Sequence, residues 1–518
     1  MIGAVALLET LTRAGVDVTF GNPGTSEMHF VAALDSVPGM RGVLALDEGV
    51  VTGAADGYGR MAGTPAATLL HLGPGLGNGL ANLHNARRAR TPIVNVVGDH
   101  ALTHKALDAP LESDIDALAE TVSVWTRRTL EPEAVGIDTA DAVAAAMWPP
   151  GGVATLILPA DVSWGEGGVV GPDAALFGPS VVGPKAVEHV AGLLRSGGRC
   201  GLLVGGGALR GEAPAFLHRI SEATGAKVFG ETFSSRTERG AGRPEFERIN
   251  YRGPTALEQL SGLDHLVLVE AKSPVAFFGY PEQDGSLVPE GTSVHQLAPI
   301  GADSDTVLAA LAEELGAPEV PVPSDAVDRT HPDGALDVVS FARAVAATMP
   351  DDAIVSDEAT TSGIFLGHET QNCPPHDWMM LTGGAIGQGM PLATGAAVAC
   401  PDRPVLNVQA DGSAMYTIQS LWTQAREDLN VTTVLLNNQS YAVLNLELQA
   451  VGAVADGTKA LSMLDLRRPD LDFVSISQGM GVPAVRVDTA DGLSRELERA
   501  YAEPGPHLIE AMIPSIVK

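Results

Sequence analysis

The chain reads as an α/β protein of three doubly wound parallel-sheet domains. Three observations predict this. Short apolar, β-branched runs bounded by small polar residues recur along its 518 residues, as expected of strands buried on both faces. Helical spacings separate these runs, so the order alternates as crossover connections require. Two stretches dense in Gly and Pro interrupt the alternation: SWGEGGVVGPDAALFGPSVVGPK from Ser163 and GAPEVPVPSDAVDRTHPDG from Gly316. Read as linkers, they delimit domains at 1–165, 182–320 and 335–518.

Taken in order, MIGAVALLETLTRAGVDV carries Glu9, Arg13 and Asp17 among apolar residues at helical spacing. That predicts an amphipathic helix and not a signal peptide. VDVTFGNPGTSE and GVLALDEG each read as a strand and turn, the second ending at Asp47 and Glu48. ATLLH ends on His71, and VVGDHALTHK carries His100 and His104 past another strand. Two glycine clusters, GPGLGNG from Gly73 and GGGALRG from Gly205, follow apolar runs. Each is read as a tight strand-to-helix turn, since neither comes with a full dinucleotide fingerprint. A nicotinamide or flavin oxidoreductase is therefore the weaker reading.

In the third domain, AIVSDEATTSG ends a strand at Thr360 and Thr361. VLNVQADGSAMYTIQ, from Val405, stops on Asp411, Gly412 and Ser413, and VTTVLLNNQSY ends on Asn437 and Asn438. With YTIQSLWTQARED read as one helix between them, these form a βαβ unit. Asp411 and Asn438, 27 positions apart, then face one crevice at the carboxyl ends of parallel strands. A carboxylate, a carboxamide oxygen and the backbone carbonyl of Ser440 suit Mg²⁺, which shares its oxygen sphere with phosphates. Ser413 is expected to open a helix whose amides face the anion. The plain alternative is an Asp-Gly-Ser N-cap with no metal.

Lys+Arg of 32 against Asp+Glu of 63 gives net −31, which repels nucleic acid and anionic membranes. No run of about 18 uncharged apolar residues predicts a membrane span. Cys200, Cys373 and Cys400 form no CxxC pair, which predicts a reducing, cytoplasmic setting.

ADGS followed by NN resembles the cofactor signature of thiamine-diphosphate enzymes. GGAIGQGMPLATGAA, ADGSAMYTIQSLW, LLNNQSYAVL, FGNPGTSE, LALDEGVVTGAADGYGRM and LLHLGPGLGN resemble benzoylformate decarboxylase in order and spacing, nearly end to end. AGTPAATLLHLGPGLGNG also looks like the large chain of acetolactate synthases. Ala410 stands where the family usually has glycine.

The resemblance implies pyrimidine-binding, central and diphosphate-binding domains, with thiamine diphosphate and Mg²⁺ as cofactors. It makes Glu48 the acid on the aminopyrimidine ring, Ile386 the wedge under the bent cofactor and Gly384 the carbonyl for its amine. Thr360 and Thr361 match residues touching the diphosphate, and Gly412, Ser413, Asn438 and Ser440 complete its cradle. Val443 and Leu444 match pocket walls, His71 a proton-handling histidine, and Thr25 replaces a serine. The bland alternatives are core packing for Ile386, an N-cap for the threonines, helix core for Val443 and Leu444, and a structural histidine.

A second family histidine, from the middle domain, has no clear equivalent. Phe277, Phe278 and Gly279 stand there instead.

The implied reaction is decarboxylation of a 2-oxo acid. The enamine is then protonated to an aldehyde or joined to a second carbonyl, and the missing histidine tilts the reading towards ligation. The family pattern also implies that Glu48 of one chain serves the metal site of another, so a homodimer is the minimum and a homotetramer is expected. FAD, which the central domain of acetolactate synthases can hold, is not indicated. A non-catalytic or regulatory homologue is the alternative from another class.

Overall fold

The computed structural model describes residues 1–281, 283–453 and 457–517. Its strands fall into three sheets, parallel throughout except at one edge. The first contains β1 (Val18–Gly21), β2 (Arg41–Leu44), β3 (Ala66–Leu70), β4 (Ile93–Asp99), β5 (Trp125–Arg128) and β6 (Val153–Pro159), in the order β2-β1-β3-β4-β6-β5. Every residue of β3, β4 and β6 is buried. Helices covering both faces favour largely apolar runs there, and the buried Thr68, Asn95 and Thr155 hydrogen-bond one another across the three strands.

The middle segment supplies six strands: β7 (Cys200–Val204), β8 (Lys227–Gly230), β9 (Thr237–Arg239), β10 (Glu247–Arg248), β11 (His265–Val269) and β12 (Ser293–Ala298). Five form the second sheet, β10-β8-β7-β11-β12. The sixth, β9, crosses to the edge of the third sheet and pairs antiparallel with β14 (His376–Met380). That sheet runs β17-β18-β16-β15-β13-β14-β9. Its other strands are β13 (Ile354–Glu358), β14 (His376–Met380), β15 (Val405–Ala410), β16 (Val431–Asn437), β17 (Ala484–Val487) and β18 (His507–Met512).

Five helices carry the expected site residues or pack against them: α1 (Glu48–Ala62), α2 (Leu72–Ala89), α3 (Gly389–Ala399), α4 (Asp411–Thr417) and α5 (Ala442–Ala450). α1 of the first domain crosses α3 of the third almost backbone to backbone. A Cβ on Gly57 would stand 2.0 Å from the Leu392 carbonyl oxygen, and one on Gly395 would stand 1.8 Å from that of Ala54. At this crossing a buried pair, Asp56 and Arg60, also ties the domains together. Arg60 binds Asp56 through two nitrogens at 2.9 and 2.7 Å and donates to the Met380 carbonyl at 2.8 Å. Gln388 donates to Asp56 at 2.6 Å.

Two sequence expectations need correction. The cluster GPGLGNG is not a turn but the opening of α2. Its glycines there serve helix packing: Glu48 Oε1 and Thr52 Cγ2 lie 3.1 and 2.9 Å from where Cβ atoms of Gly75 and Gly79 would be. YTIQSLWTQARED is not one helix either. α4 ends at Thr417 and a second helix runs Ser420–Arg426, because at Ile418 and Gln419 the ladder tightens to i−3 bonds from Leu421 and Trp422.

Candidate active site

The strand order of the third sheet reverses between β13 and β15, the place where ligands gather in open α/β sheets. Thr360 and Thr361 follow β13, Asp411 follows β15 and Asn438 follows β16. Asp411 is 2% exposed. Its Oδ1 accepts from the Gly412 amide at 2.8 Å and its Oδ2 from the Gln439 amide at 2.6 Å, so one carboxylate joins two strand ends. Burial pushes this carboxyl up to about 6 despite those amides. Among the described residues no Lys or Arg pairs with it. A carboxylate so withdrawn from water fits a bound cation.

Asn438 Oδ1 accepts from the Ser440 amide at 3.0 Å, and its Nδ2 lies 3.3 Å from Ser362 Oγ beyond β13. Asn437 donates to Glu510 at 2.7 Å and accepts from the Gln439 amide at 3.2 Å. Gln439, between Asn438 and Ser440, takes φ of 57°, as Thr360 takes 50° and Leu72, beside His71, takes 49°. Non-glycine residues held in this left-handed region cost about 1–3 kcal/mol each and concentrate at functional sites.

α4 opens at Asp411, with Ala410 as its N-cap. Ser413, expected to open that helix, is instead its third residue and is held by Gln409 Nε2 at 2.5 Å. The methyl of Ala410 is accommodated in this buried cap. Gly412 has no alternative, since a Cβ there would stand 2.4 Å from the Tyr441 ring.

The segment Gly383–Gln388 is fixed from two sides. Glu358, buried at the end of β13, accepts from the amides of Gly387 at 2.7 Å and Gly389 at 2.6 Å. Burial raises its carboxyl above the usual range. From the first domain, α2 sends His84 to the Gly383 carbonyl at 3.1 Å and Asn85 to that of Ala385 at 2.8 Å. Gly384 has φ of 75°. Ile386 is half-buried and belongs to none of the hydrophobic cores among the described residues. Core packing therefore does not explain it.

Glu48 is the first residue of α1, behind the N-cap Asp47, whose carboxylate accepts from the Gly49 amide at 2.8 Å. Glu48 is 6% exposed and accepts from Asn78 Nδ2 at 3.0 Å. Asn82, one turn further along α2, donates to the carbonyls of Gly49 at 2.8 Å and Gly387 at 3.3 Å. A single chain therefore links the Glu48 helix to its own Gly383–Gln388 segment, whereas the family pattern sets Glu48 against a second chain.

His71 follows β3, at the switch point of the first sheet, as the N-cap of α2. Its Nδ1 lies 2.8 Å from Glu27 Oε2 and 3.3 Å from Ser26 Oγ. Gly24 leaves room for the ring, since a Cβ there would stand 2.2 Å from Nδ1. Thr25, the expected hydroxyl, is exposed, and the hydroxyl beside His71 is that of Ser26. His100 and His104 pack against each other with tilted rings 5.3 Å apart, and among the described residues neither hydrogen-bonds His71.

The middle domain reaches over this region. The Phe277 ring lies 2.5 Å from where a Cβ of Gly384 would be, and it packs on Phe278. Gly279 follows in the same stretch and touches nothing with its missing Cβ. Val443 and Leu444 lie on α5, whose one buried residue is Ala442, so neither is helix core. The glycine turn Gly205–Gly207 faces Glu231 and Glu270, at 2.5 and 2.7 Å from the Cβ positions of Gly205 and Gly207. A flavin or nucleotide diphosphate there would meet two carboxyl groups.

No helix among the described residues is long and apolar enough to cross a membrane. The three cysteines are free thiols.

Two family descriptions match the chain: "Thiamine pyrophosphate enzyme, N-terminal TPP binding domain" over residues 1–119, and "Thiamine pyrophosphate enzyme, C-terminal TPP binding domain" over residues 360–511. Thiamine pyrophosphate is another name for thiamine diphosphate. A Mycobacterium tuberculosis protein provisionally named acetolactate synthase large subunit IlvX is 57% identical, covering 100% of both chains. Benzoylformate decarboxylase of Pseudomonas aeruginosa is 28% identical over 98% of this chain and 97% of its own. Among solved structures, a thiamine diphosphate-dependent 4-hydroxybenzoylformate decarboxylase of Rhodococcus jostii RHA1 superposes with a TM-score of 0.82 at 25% identity, covering 99% of each chain. The chain belongs to the thiamine pyrophosphate enzyme family, and its relatives include an acetolactate synthase large subunit and a benzoylformate decarboxylase.

Proposed function

We infer that the chain uses thiamine diphosphate and Mg²⁺ to decarboxylate a 2-oxo acid, and then joins the remaining acyl unit to a second carbonyl or releases it protonated as an aldehyde. The observation that carries this reading is the Asp411 carboxylate, buried and bonded across two strand ends beside Asn438 and Ser440.

The donor set fits the metal. A carboxylate oxygen, the Asn438 carboxamide and the Ser440 carbonyl are hard oxygens that leave room for phosphate. Thr360, Thr361, Gly412 and Ser413 border the same strand ends and would hold the diphosphate. Bound there, thiamine diphosphate supplies an electron sink for the carboxylate carbon bond. Ile386, standing outside the cores, would support the bend, and the Gly384 carbonyl would accept from the ring amine. Glu48, withdrawn from water and steadied by Asn78, would share a proton with the ring. His71, oriented through Nδ1 by Glu27, keeps Nε2 free to carry a proton to or from substrate.

Ligation is the favoured outcome, since the second family histidine has no clear equivalent in the stretch that offers Phe277, Phe278 and Gly279. Assembly as a homodimer or homotetramer is supported by the family pattern at Glu48. The free thiols fit a cytoplasmic location. Flavin is not assigned, because Glu231 and Glu270 face the turn that would approach its diphosphate. A non-catalytic homologue is disfavoured by the joint retention of Glu48, Ile386, Asp411 and Asn438.

The test is turnover of a panel of aliphatic and aromatic 2-oxo acids with both cofactors, following CO₂ and carbon products, alongside the mass of the protein in solution. Release of CO₂ with a hydroxyketone or acetohydroxy acid supports ligation, aldehyde alone supports simple decarboxylation, and no turnover of any acid contradicts the reading.

A further inference from the structure

Beyond the β9–β14 pairing, the middle domain also grips one carboxylate of the third domain. Glu447, on α5, accepts from the Tyr251 hydroxyl at 2.9 Å on Oε1 and from the Tyr280 hydroxyl at 2.8 Å on Oε2. Both carboxylate oxygens are thus used by phenols of another domain. The same stretch that supplies Tyr280 supplies Phe277, whose ring covers Gly384 and packs against Tyr251 at 5.3 Å. Residues 277–280 therefore form a strap from the ring-binding segment to α5. Among the described residues little else holds α5: Ala442 is its one buried residue, and Val443 is half-buried and Leu444 exposed. Its N-terminal end follows directly on the Asn438–Ser440 turn. Val443 and Leu444 precede Glu447 by four and three positions, so all three share one side of the helix.

The geometry points to Glu447, clamped by Tyr251 and Tyr280, as a positioning residue that sets the substrate-facing wall of the site. This rests on the thiamine-diphosphate reading of that site. The clamp fixes the far end of α5 and so fixes where Val443 and Leu444 stand relative to the 2-oxo acid. The metal turn is held separately, by Asp411 and by the Tyr441 amide bond to the Leu464 carbonyl. Loss of the clamp should therefore fall on substrate binding and spare the cofactor. The sequence holds no sign of this, since Glu447 reads as an ordinary helix carboxylate and its partners lie 196 and 167 residues away.

The test uses the full-length protein with thiamine diphosphate and Mg²⁺. Glu447→Ala is expected to raise KM for the 2-oxo acid about tenfold, the order expected from losing a charge-assisted hydrogen-bond pair. kcat and the cofactor Kd should each stay within about threefold. Glu447→Gln, which can still bond both phenols, should restore most of the KM. In a Tyr251→Phe/Tyr280→Phe background, Glu447→Ala should add nothing further. Amide hydrogen exchange over 442–450 should rise in Glu447→Ala and not in Glu447→Gln, a readout that needs no turnover. Additive effects in the double-tyrosine background, or unchanged exchange in Glu447→Ala, overturn the clamp. Wild-type protein that binds no thiamine diphosphate overturns the cofactor reading instead, and the exchange measurement still decides the clamp.

Discussion

The Nδ1 of His71 lies 2.8 Å from the buried Glu27 carboxylate, which also accepts from the Gly24 amide at 2.8 Å and from Ser26 Oγ at 2.8 Å. One carboxylate thus fixes both the histidine and the turn that carries its neighbouring hydroxyl. Donating Nδ1–H to Glu27 leaves Nε2 as the free nitrogen, the arrangement a proton carrier needs. Glu27→Ala should lower kcat/KM about ten- to a hundredfold while thiamine diphosphate still binds. Glu27→Gln, whose carbonyl can still accept from Nδ1, should lose less. Steady-state kinetics beside a cofactor titration check both. Equal losses in the two variants, or none, would remove Glu27 from this role.

Arg60 and Asp56 hold the first and third domains together from inside their interface, with side chains 1% and 0% exposed. Removing one partner of a buried pair leaves the other charge uncompensated, at a cost of about 3–5 kcal/mol. Arg60→Met should lower the denaturation midpoint accordingly. Thr382 and the Met380 carbonyl, both partners of Arg60, would be released as well. A midpoint within error of wild type would show that the interface holds without this pair.

His376 sets an acid limit on stability. Burial lowers its pKa from 6.5 to about 4, while its Nδ1 bonds the Pro374 carbonyl at 2.8 Å. Between those values the unfolded chain takes a proton that the folded chain refuses. Folding stability should therefore fall as pH drops from about 6.5 towards about 4, by roughly 3 kcal/mol in full. His376→Asn, able to donate to the same carbonyl without titrating, should flatten that limb. An unchanged acid limb in the variant would assign the loss to other groups.

Residues at strand ends are legible in the sequence, and residues that act across domains are not. Asp411 and Asn438 declare themselves because apolar β-branched runs stop on side chains that carry oxygen, and parallel strands must put those stops on one edge. Glu358 and Gln409 lie inside such runs and look like strand residues, yet they hold the Gly387–Gly389 backbone and Ser413. Asn82, Asp56 and Arg60 meet partners about 300 residues away, and local periodicity carries no trace of such contacts. The glycines of α2 mislead for the same reason. A cluster after an apolar run signals a turn locally, whereas Gly75 and Gly79 answer to Glu48 and Thr52 on another helix. Family position favours Thr25 over Ser26, and a one-residue choice in a tight turn depends on backbone direction that sequence does not supply.

The most direct test of the cofactor site is titration of thiamine diphosphate into the protein with Mg²⁺ present and removed, for wild type, Asp411→Ala and Glu48→Gln. Metal-dependent binding is expected in wild type. Asp411→Ala should bind at least about a hundredfold more weakly, through loss of the one charged metal ligand, and Glu48→Gln should bind near-normally with turnover almost abolished. Undiminished binding in Asp411→Ala, or full turnover in Glu48→Gln, would contradict this assignment.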